Sequence, residues 1–166
     1  MNKTIYVAGG CFWGVAEYYR RLSGVISSVV GYAQGHTENP TYREVCTQET
    51  YHTETVEVIY DADVISLEKI IEHLFRMIDP TSVNRQGNDI GTQYRSGIYL
   101  TDEKELEEIK TLVKTYQQYY TQPIAVEVEM LKNFYRAESE HQDYLVKNPS
   151  GYCHIDFSLI KKEELK

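Results

Sequence analysis

Cys11 is the residue around which the candidate chemistry gathers. It follows the paired glycines Gly9 and Gly10, which come directly after the apolar run 5–8, a predicted β-strand. Apolar residues then recur at helical spacing, at Phe12, Val15, Ala16 and Tyr19. This spacing predicts that Cys11 lies in the first turn of a helix, where free backbone N–H groups and the helix dipole favour a nucleophilic thiolate.

The main alternative for Cys11 is a buried structural cysteine, which is the commonest fate of a free thiol. The paired glycines let the backbone approach a ligand closely, and this favours a reactive thiol. Two large aromatic residues, Phe12 and Trp13, follow the sulfur directly. Both rings could serve the core, but their position beside a candidate nucleophile favours an apolar substrate pocket.

Glu54 is a candidate general acid. The run 53–60 alternates as a half-buried strand does, and the parity places Glu54 on the same face as Val56, Val58 and Tyr60. Desolvation on such a face raises the pKa of a carboxyl group, so that it can hold a proton near neutrality. The alternative is a carboxylate at the end of the strand that simply reaches water.

The bulk composition narrows the classes of function. A chain of 166 residues predicts one domain, 1–166, that buries about 70% of its unfolded surface and would carry the candidate catalytic residues. Three widely spaced cysteines, Cys11, Cys46 and Cys153, indicate thiol chemistry in a reducing compartment rather than a disulfide framework or a zinc site. With no apolar run long enough for a signal peptide or a membrane span, we expect a cytoplasmic protein. The net charge of −8 argues against nucleic acid as a partner.

The elements that must position these residues follow the order β-α-β-β-α-β and then α-β. We expect strands at 5–8, 24–32, 53–60, 94–100 and 124–130, with a polar loop at 81–93. Helices are expected at 12–19, 41–46, 67–78, 103–120 and within 134–146. This pattern predicts an α+β fold: a ferredoxin-like split βαβ core with helices packed on a mixed or antiparallel sheet, plus an added αβ unit and an irregular C-terminal tail, flexible from about residue 147.

Several motifs, in order along nearly the whole chain, resemble those of the A-type peptide methionine sulfoxide reductases. They are Gly-Cys-Phe-Trp-Gly at 10–14, Asn-Pro-Thr-Tyr at 39–42, His-Thr-Glu at 52–54, the segment 87–96, the segment 134–142 and Gly-Tyr-Cys at 151–153. The resemblance implies that methionine sulfoxide, free or in proteins and in its S epimer, is reduced to methionine in the repair of oxidative damage.

The resemblance also implies roles for individual residues. Cys11 would attack the sulfoxide sulfur while Glu54 protonates its oxygen, and Cys153 would resolve the resulting sulfenic acid to a Cys11–Cys153 disulfide. The remaining residues would line the site: Tyr42, Tyr94 and Asp89 beside the acid, and Phe12 and Trp13 around the S-methyl group. His141 belongs to a similar segment and is a weaker substrate-binding candidate, because its helical position alone predicts a surface residue.

The implied chemistry also sets expectations about partners. The two electrons come from thiols, so no metal or organic cofactor is expected, and a thioredoxin-like protein would reduce the disulfide. We expect a monomer that binds neither nucleic acid nor membrane. Cys46, in a short helical turn, is expected to be a packing residue.

The chain departs from the family pattern at a few positions. Gln34 stands where a glycine is usual, and Tyr51-His52-Thr53 replaces the commoner Gly-His-Ala. Arg136 and Glu140 are atypical, and the tail holds one cysteine where some members have two. These positions lie beside the catalytic ones, so they bear on loop shape more than on the type of reaction.

Two other functions fit parts of the pattern. A thiol peroxidase would also oxidise Cys11 but needs no apolar pocket. Comparing the rate of peroxide consumption with the rate of dimethyl sulfoxide reduction would distinguish a peroxidase from a sulfoxide reductase. A non-catalytic ferredoxin-like binding module would keep Cys11 as an inert thiol, which an alkylating probe at neutral pH would leave unlabelled.

Overall fold

A computed structural model describes all residues, 1–166, and contains eight strands and five α-helices. The strands are β1 (Asn2–Ala8), β2 (Val25–Ala33), β3 (Thr53–Asp61), β4 (Arg85–Gln86), β5 (Asp89–Ile90), β6 (Gly97–Leu100), β7 (Glu127–Met130) and β8 (Phe134–Arg136). The helices are α1 (Phe12–Arg20), α2 (Tyr42–Cys46), α3 (Leu67–Met77), α4 (Glu103–Tyr116) and α5 (Tyr144–Lys147). None of the helices is long and apolar enough to cross a membrane.

Six strands form one sheet in the order β7-β6-β1-β3-β2-β8. The four central strands, β6-β1-β3-β2, pair antiparallel throughout and are joined as β1-α1-β2-β3-α3-β6, which is the split βαβ plan. Helix α4 then leads to β7, which pairs parallel with β6 and forms the added αβ unit. The prediction of an α+β ferredoxin-like core is therefore confirmed.

Helix α3 shows why the periodic segments were predictable. Ser66 caps the helix by accepting a hydrogen bond from the backbone N–H of Lys69, at 3.1 Å. The apolar face is buried against the sheet through Ile70, Ile71, Leu74 and Phe75. Together with α1, this helix covers the face of the sheet on which Val56, Val58 and Tyr60 are buried.

Four predicted boundaries were wrong by three residues or more: β1 begins at Asn2 rather than at Ile5, and the other three lie after residue 90. The strand predicted at 94–100 begins only at Gly97, because residues Thr92–Tyr94 form a 3₁₀ turn. Helix α4 ends at Tyr116, where a second 3₁₀ turn begins, and the next strand starts at Glu127 rather than at 124. The side chain of Gln117 stabilises this connection by bonding the backbone of Gln122 and Ile124.

The segment 134–146 also differs from the prediction of a single short helix. It contains strand β8, which pairs antiparallel with β2 at the edge of the sheet, before the short helix α5. A strand of three residues carries too short an alternation to be read from sequence.

The C-terminal tail, residues 148–166, contains no strand and only short 3₁₀ turns. The prediction of an irregular tail is therefore confirmed. It packs on the body of the protein through the buried residues Ile155 and Ile160. Near its end, the Glu164 carboxylate accepts two hydrogen bonds from the Arg76 guanidinium, at 2.7 and 2.8 Å. The flexibility of the tail stays a prediction.

Candidate active site

Cys11 lies at the N-cap position of α1, at the end of the turn that leads out of β1. Gly10 has φ +90°, and a Cβ at this position would lie 2.7 Å from Cβ of Gln86. Only glycine fits both the left-handed backbone and the close approach. The turn fixes the thiol beneath the surface, with 7% of the residue exposed.

The expectation that Cys11 rests as a thiolate is wrong. Burial raises the pKa of the Cys11 thiol well above its usual range, and the neighbouring carboxyl group of Glu54 raises it further. The backbone N–H of Trp13, in the first turn of α1, lowers the pKa, as a helix N-terminus should, but this effect is smaller than that of desolvation. The thiol is therefore protonated at neutral pH.

Glu54 lies on β3 with 1% of its surface exposed, on the apolar face that the alternation predicts, so it does not reach water. Its Oε1 accepts a hydrogen bond from the backbone N–H of Phe12, at 3.1 Å, which ties the carboxyl group to the residue after the nucleophile. Its Oε2 is buried and has no hydrogen-bond partner in the protein. Burial raises the pKa of Glu54 to about 8, and the nearby charge of Asp89 acts in the same direction.

Two phenols stand near this carboxyl group. Tyr42 begins α2, where Thr41 and Glu44 form a capping box, and its backbone N–H donates to Glu138 at 2.9 Å. Tyr94 lies in the 3₁₀ turn before β6. Burial, followed by the charge of Glu54, raises the pKa of both phenols above their usual range. Both hydroxyl groups therefore stay protonated at neutral pH and can donate hydrogen bonds.

Asp89 lies on β5, in the small hairpin formed by β4 and β5 within the long polar loop. Its Oδ2 accepts a hydrogen bond from the hydroxyl of Tyr152, at 3.1 Å, so the hairpin contacts the C-terminal tail. The negative charge of Asp89 adds to the rise in pKa that burial causes at Glu54, Cys11 and Tyr94, so Asp89 lies close to all three groups.

Aromatic residues form a cluster next to Cys11. The Trp13 ring stacks on Tyr144 with 3.8 Å between centroids, and its Nε1–H donates to Nδ1 of His141 at 3.1 Å. The Phe12 ring is 1% exposed and lies 5.7 Å from the rings of both Tyr32 and His141. Trp13, which is only half-buried, can therefore border a substrate pocket, whereas Phe12 supports the pocket from the core.

His141 is not a surface residue, contrary to the prediction from helical position. It lies in a 3₁₀ turn rather than in a longer helix, is 8% exposed, and its ring is 4.5 Å from that of Tyr42. Because Nδ1 accepts from Trp13, the ring proton of neutral His141 is on Nε2. The ring thus joins the nucleophile's helix to α2.

Sequence reasoning missed Glu138 and Tyr144 beside this group, and His154 beside the turn that precedes Cys11. Glu138 accepts hydrogen bonds from the Tyr32 hydroxyl and the Tyr42 backbone, at 2.8 and 2.9 Å, and so holds α2 on the sheet. The position of Glu138 within the 134–142 motif could have identified it as a functional residue. Tyr144 and His154 carried only the weaker signal of lying near His141 and Cys153.

The three cysteines are free and occupy different environments. The Cys153 sulfur lies against α1, so close that a Cβ on Gly14 would be 2.6 Å from it, and it accepts a hydrogen bond from the Ile155 N–H at 3.3 Å. Cys46 is exposed at the end of α2, so its expected packing role is wrong. Of the two other thiols, only Cys153 thus contacts α1, at Gly14, three residues after Cys11 in the chain.

Known proteins share this sequence and fold along almost the full chain. A family model described as "Peptide methionine sulfoxide reductase" matches residues 3–166. The chain is 56% identical to the peptide methionine sulfoxide reductase MsrA of Lachnoclostridium phytofermentans, over 93% of each chain. The solved structure of methionine sulfoxide reductase A of Corynebacterium diphtheriae matches with a TM-score of 0.89 and 40% identity, over 92% of this chain and 77% of that one.

The Mxr1 protein of Saccharomyces cerevisiae is similar in several solved structures. In its reduced form it matches with a TM-score of 0.85 and 39% identity, over 92% of this chain and 88% of that one. In its complex with Trx2 it matches with a TM-score of 0.60 and 28% identity, over 86% and 84%. On the evidence of the matched sequence and fold, the chain belongs to the peptide methionine sulfoxide reductase family.

Proposed function

We propose that this protein reduces methionine sulfoxide, free or in proteins, through Cys11 as nucleophile and Glu54 as general acid. One observation carries the proposal: the Oε2 atom of Glu54 is buried without a partner, while Oε1 is held by the N–H of Phe12, beside Cys11. A carboxyl group with a pKa of about 8 holds a proton at neutral pH, and Oε2 is the oxygen free to donate it.

In the first step the Cys11 sulfur attacks the sulfoxide sulfur, and Glu54 protonates the sulfoxide oxygen as the sulfur–oxygen bond breaks. The thiol proton of Cys11 replaces the one that Glu54 gives, so no net proton is consumed. The sulfur–sulfur bond formed by this attack breaks as the oxygen passes to Cys11, so that Cys11 is oxidised to a sulfenic acid and the substrate leaves as the thioether methionine. The phenols of Tyr42 and Tyr94 donate hydrogen bonds to the oxygen as negative charge develops on it.

The high thiol pKa of Cys11 is compatible with this step. When the sulfoxide oxygen accepts the proton of Glu54, the carboxylate that forms is a base that can take the thiol proton. Trp13, stacked on Tyr144 and hydrogen-bonded to His141, offers the apolar surface for the S-methyl group, with Phe12 behind it. Burial raises the pKa of Glu54, and the charge of Asp89 adds to this effect.

In the second step the Cys153 thiol attacks the Cys11 sulfenic acid. A sulfur–sulfur bond forms, the sulfur–oxygen bond breaks, and water leaves. The seating of Cys153 against Gly14, three residues along α1 from the nucleophile, supports this assignment over Cys46. The run 148–151, which we expect to be flexible, lets the tail adjust for bond formation.

A thioredoxin-like protein then reduces the Cys11–Cys153 disulfide by thiol–disulfide exchange. Support comes from the yeast relative, whose structure was solved in complex with Trx2. Because this cycle needs reduced thiols, we place the protein in the cytoplasm, where it would repair oxidised methionine. We infer that it acts as a monomer and on the S epimer, the preference that the family resemblance implies.

The direct test measures turnover of the separated S and R epimers of methionine sulfoxide with dithiothreitol as electron donor. We expect reduction of the S epimer, with hydrogen peroxide consumed far more slowly. Rapid peroxide consumption without sulfoxide reduction would instead show a thiol peroxidase and contradict the proposal.

A further inference from the structure

We propose that His154 is a positioning residue for the second half of the reaction: its ring N–H holds the Cys153 segment on the turn that carries Cys11. The inference rests on the proposed role of Cys153 as the resolving thiol. It concerns the rate of disulfide formation, and not the reduction of the sulfoxide.

The contact that carries this inference joins the tail to the nucleophile's own turn. The Nε2 of His154 lies 2.8 Å from the carbonyl oxygen of Gly9, two residues before Cys11. A carbonyl can only accept, so Nε2 is the protonated nitrogen and donates to it. A Cβ on Gly10 would lie 3.0 Å from the same Nε2, so the glycine turn and the imidazole ring fit closely together.

The other ring nitrogen of His154, Nδ1, indicates that the hydrogen bond to Gly9 is the reason for a histidine at this position. Nδ1 is buried and has no partner in the protein. A histidine that served only to fill space would leave the cost of a buried polar atom uncompensated, whereas leucine or phenylalanine would fill the same space at no such cost. Burial lowers the pKa of His154, so the ring stays neutral and keeps its single N–H on Nε2.

The contacts of the neighbouring residues place Cys153 between two attachments. The Tyr152 hydroxyl donates to Asp89 at 3.1 Å, and His154 donates to Gly9. Between them, the Cys153 sulfur faces Gly14 on the first turn of α1. Tyr152 is exposed and its bond is open to water, whereas the bond of His154 is partly buried and supplies more of the fixed geometry.

Fixed geometry matters because the reaction of a sulfenic acid with a thiol of the same chain depends on their effective concentration. Without the bond to Gly9, the irregular tail would sample more positions, and the two sulfurs would meet less often. The loss would fall on disulfide formation alone, because sulfoxide reduction needs only groups of the body of the protein.

The test uses the full-length reduced protein and two variants of His154, one that keeps the aromatic ring and one that keeps an N–H donor. His154→Phe keeps an aromatic ring and removes the donor, whereas His154→Gln places an amide N–H at a reach similar to that of Nε2. Each protein is mixed with S-methionine sulfoxide without reductant and quenched at intervals. Released methionine and the Cys11–Cys153 disulfide are then quantified by mass spectrometry.

We expect methionine release at the wild-type rate in both variants, which also shows that both are folded. Disulfide formation should slow roughly 10–100-fold in His154→Phe and stay within a few-fold of wild type in His154→Gln. Wild-type disulfide formation in His154→Phe, or equal slowing in both variants, would overturn the inference.

Failure of the underlying function gives a different result. If the wild-type protein releases methionine but forms no Cys11–Cys153 disulfide, Cys153 is not the resolving thiol, and both this role and the inference are overturned before the variants are compared.

Discussion

The turn that carries Cys11 and the tail that carries Cys153 are held in place by different means. The turn leaves β1, which pairs on both sides with β3 and β6, and enters α1, so regular backbone hydrogen bonds fix it from both directions. The tail lacks regular pairing and depends on separate contacts, such as those of His154 with Gly9 and of Glu164 with Arg76. Segments with few backbone bonds open at lower free energy than core strands.

This difference matches the two halves of the proposed reaction. Attack on the sulfoxide needs the nucleophile, the acid and the pocket at fixed distances, and these sit on the sheet and its helices. Disulfide exchange needs a thiol that reaches Cys11 and is then presented to a partner protein. A locally held but irregular tail can serve that purpose.

The largest expected effect is in the turn. Cys11→Ser should abolish both the first turnover and sustained turnover, because a serine hydroxyl is scarcely ionised and far less nucleophilic than a thiolate. Methionine release and the circular dichroism spectrum are the measurements, and the spectrum should match that of wild type. Residual turnover above a few per cent would mean that the turn does not hold the nucleophile.

The next effect is in the tail and separates the two halves. Cys153→Ser should release one equivalent of methionine at the normal rate and then stall with a thioredoxin-type reductant, because the sulfenic acid has no internal partner. Cys46→Ser is the matched control and should cycle normally. Sustained thioredoxin-dependent turnover in Cys153→Ser, with a Cys11–Cys46 disulfide, would reverse the assignment.

A smaller effect is expected where turn and tail touch. A Cβ on Gly14 would lie 2.6 Å from the Cys153 sulfur and 2.8 Å from Cγ1 of Ile155, so Gly14→Ala should push the tail away from α1. We expect disulfide formation to slow several-fold while methionine release is kept. The melting temperature should not fall by much, since alanine favours a helix over glycine by about 1 kcal/mol. An unchanged rate of disulfide formation would show that this contact does not matter.

The smallest effects concern two residues at positions where the family usually has glycine. Gln34 and Tyr51 both have positive φ, at 65° and 58°, a conformation that costs a non-glycine residue about 1–2 kcal/mol. Gln34 is buried and bonds Glu129, Met130 and the Lys132 N–H. The half-exposed ring of Tyr51 packs against Arg95, with 4.1 Å from the guanidinium carbon to the ring centroid.

Replacing each with glycine should therefore have unequal results. Gln34→Gly should lower the free energy of unfolding by about 1–2 kcal/mol, because its lost hydrogen bonds outweigh the relieved strain. Tyr51→Gly should change it by less than about 1 kcal/mol, since relief of strain offsets a cation–π contact. Urea denaturation measures both, and a greater loss in Tyr51→Gly would contradict this reasoning.

The parts of the site that rest on local pattern were predictable. The glycine turn before a helical period placed Cys11, and the alternation of 53–60 placed Glu54 on the buried face. The resemblance supplied Tyr42, Tyr94, Asp89 and Cys153, whose roles remain predictions that their clustering supports.

Features that rest on distant contacts were not predictable. His141 is buried because Trp13, far away in the chain, bonds its ring, and a local helical period contains no trace of that contact. The high pKa of the Cys11 thiol likewise depends on the elements that cover it and on Glu54 from another strand. The 3₁₀ turn at Tyr94 forms where Thr53 on β3 bonds the backbone of Gln93 and Arg95, again a tertiary effect.

The most direct measurement of the central claim is the rate of methionine release in a single turnover, followed against pH in wild type and in Glu54→Gln. In wild type the rate should fall as pH rises through about 8, because the acid form of Glu54 is lost above its pKa. Glu54→Gln should be slower by roughly 10²–10⁴ and should lack that descending limb. An unchanged rate in Glu54→Gln, or the same limb persisting in it, would show that the proton comes from another group.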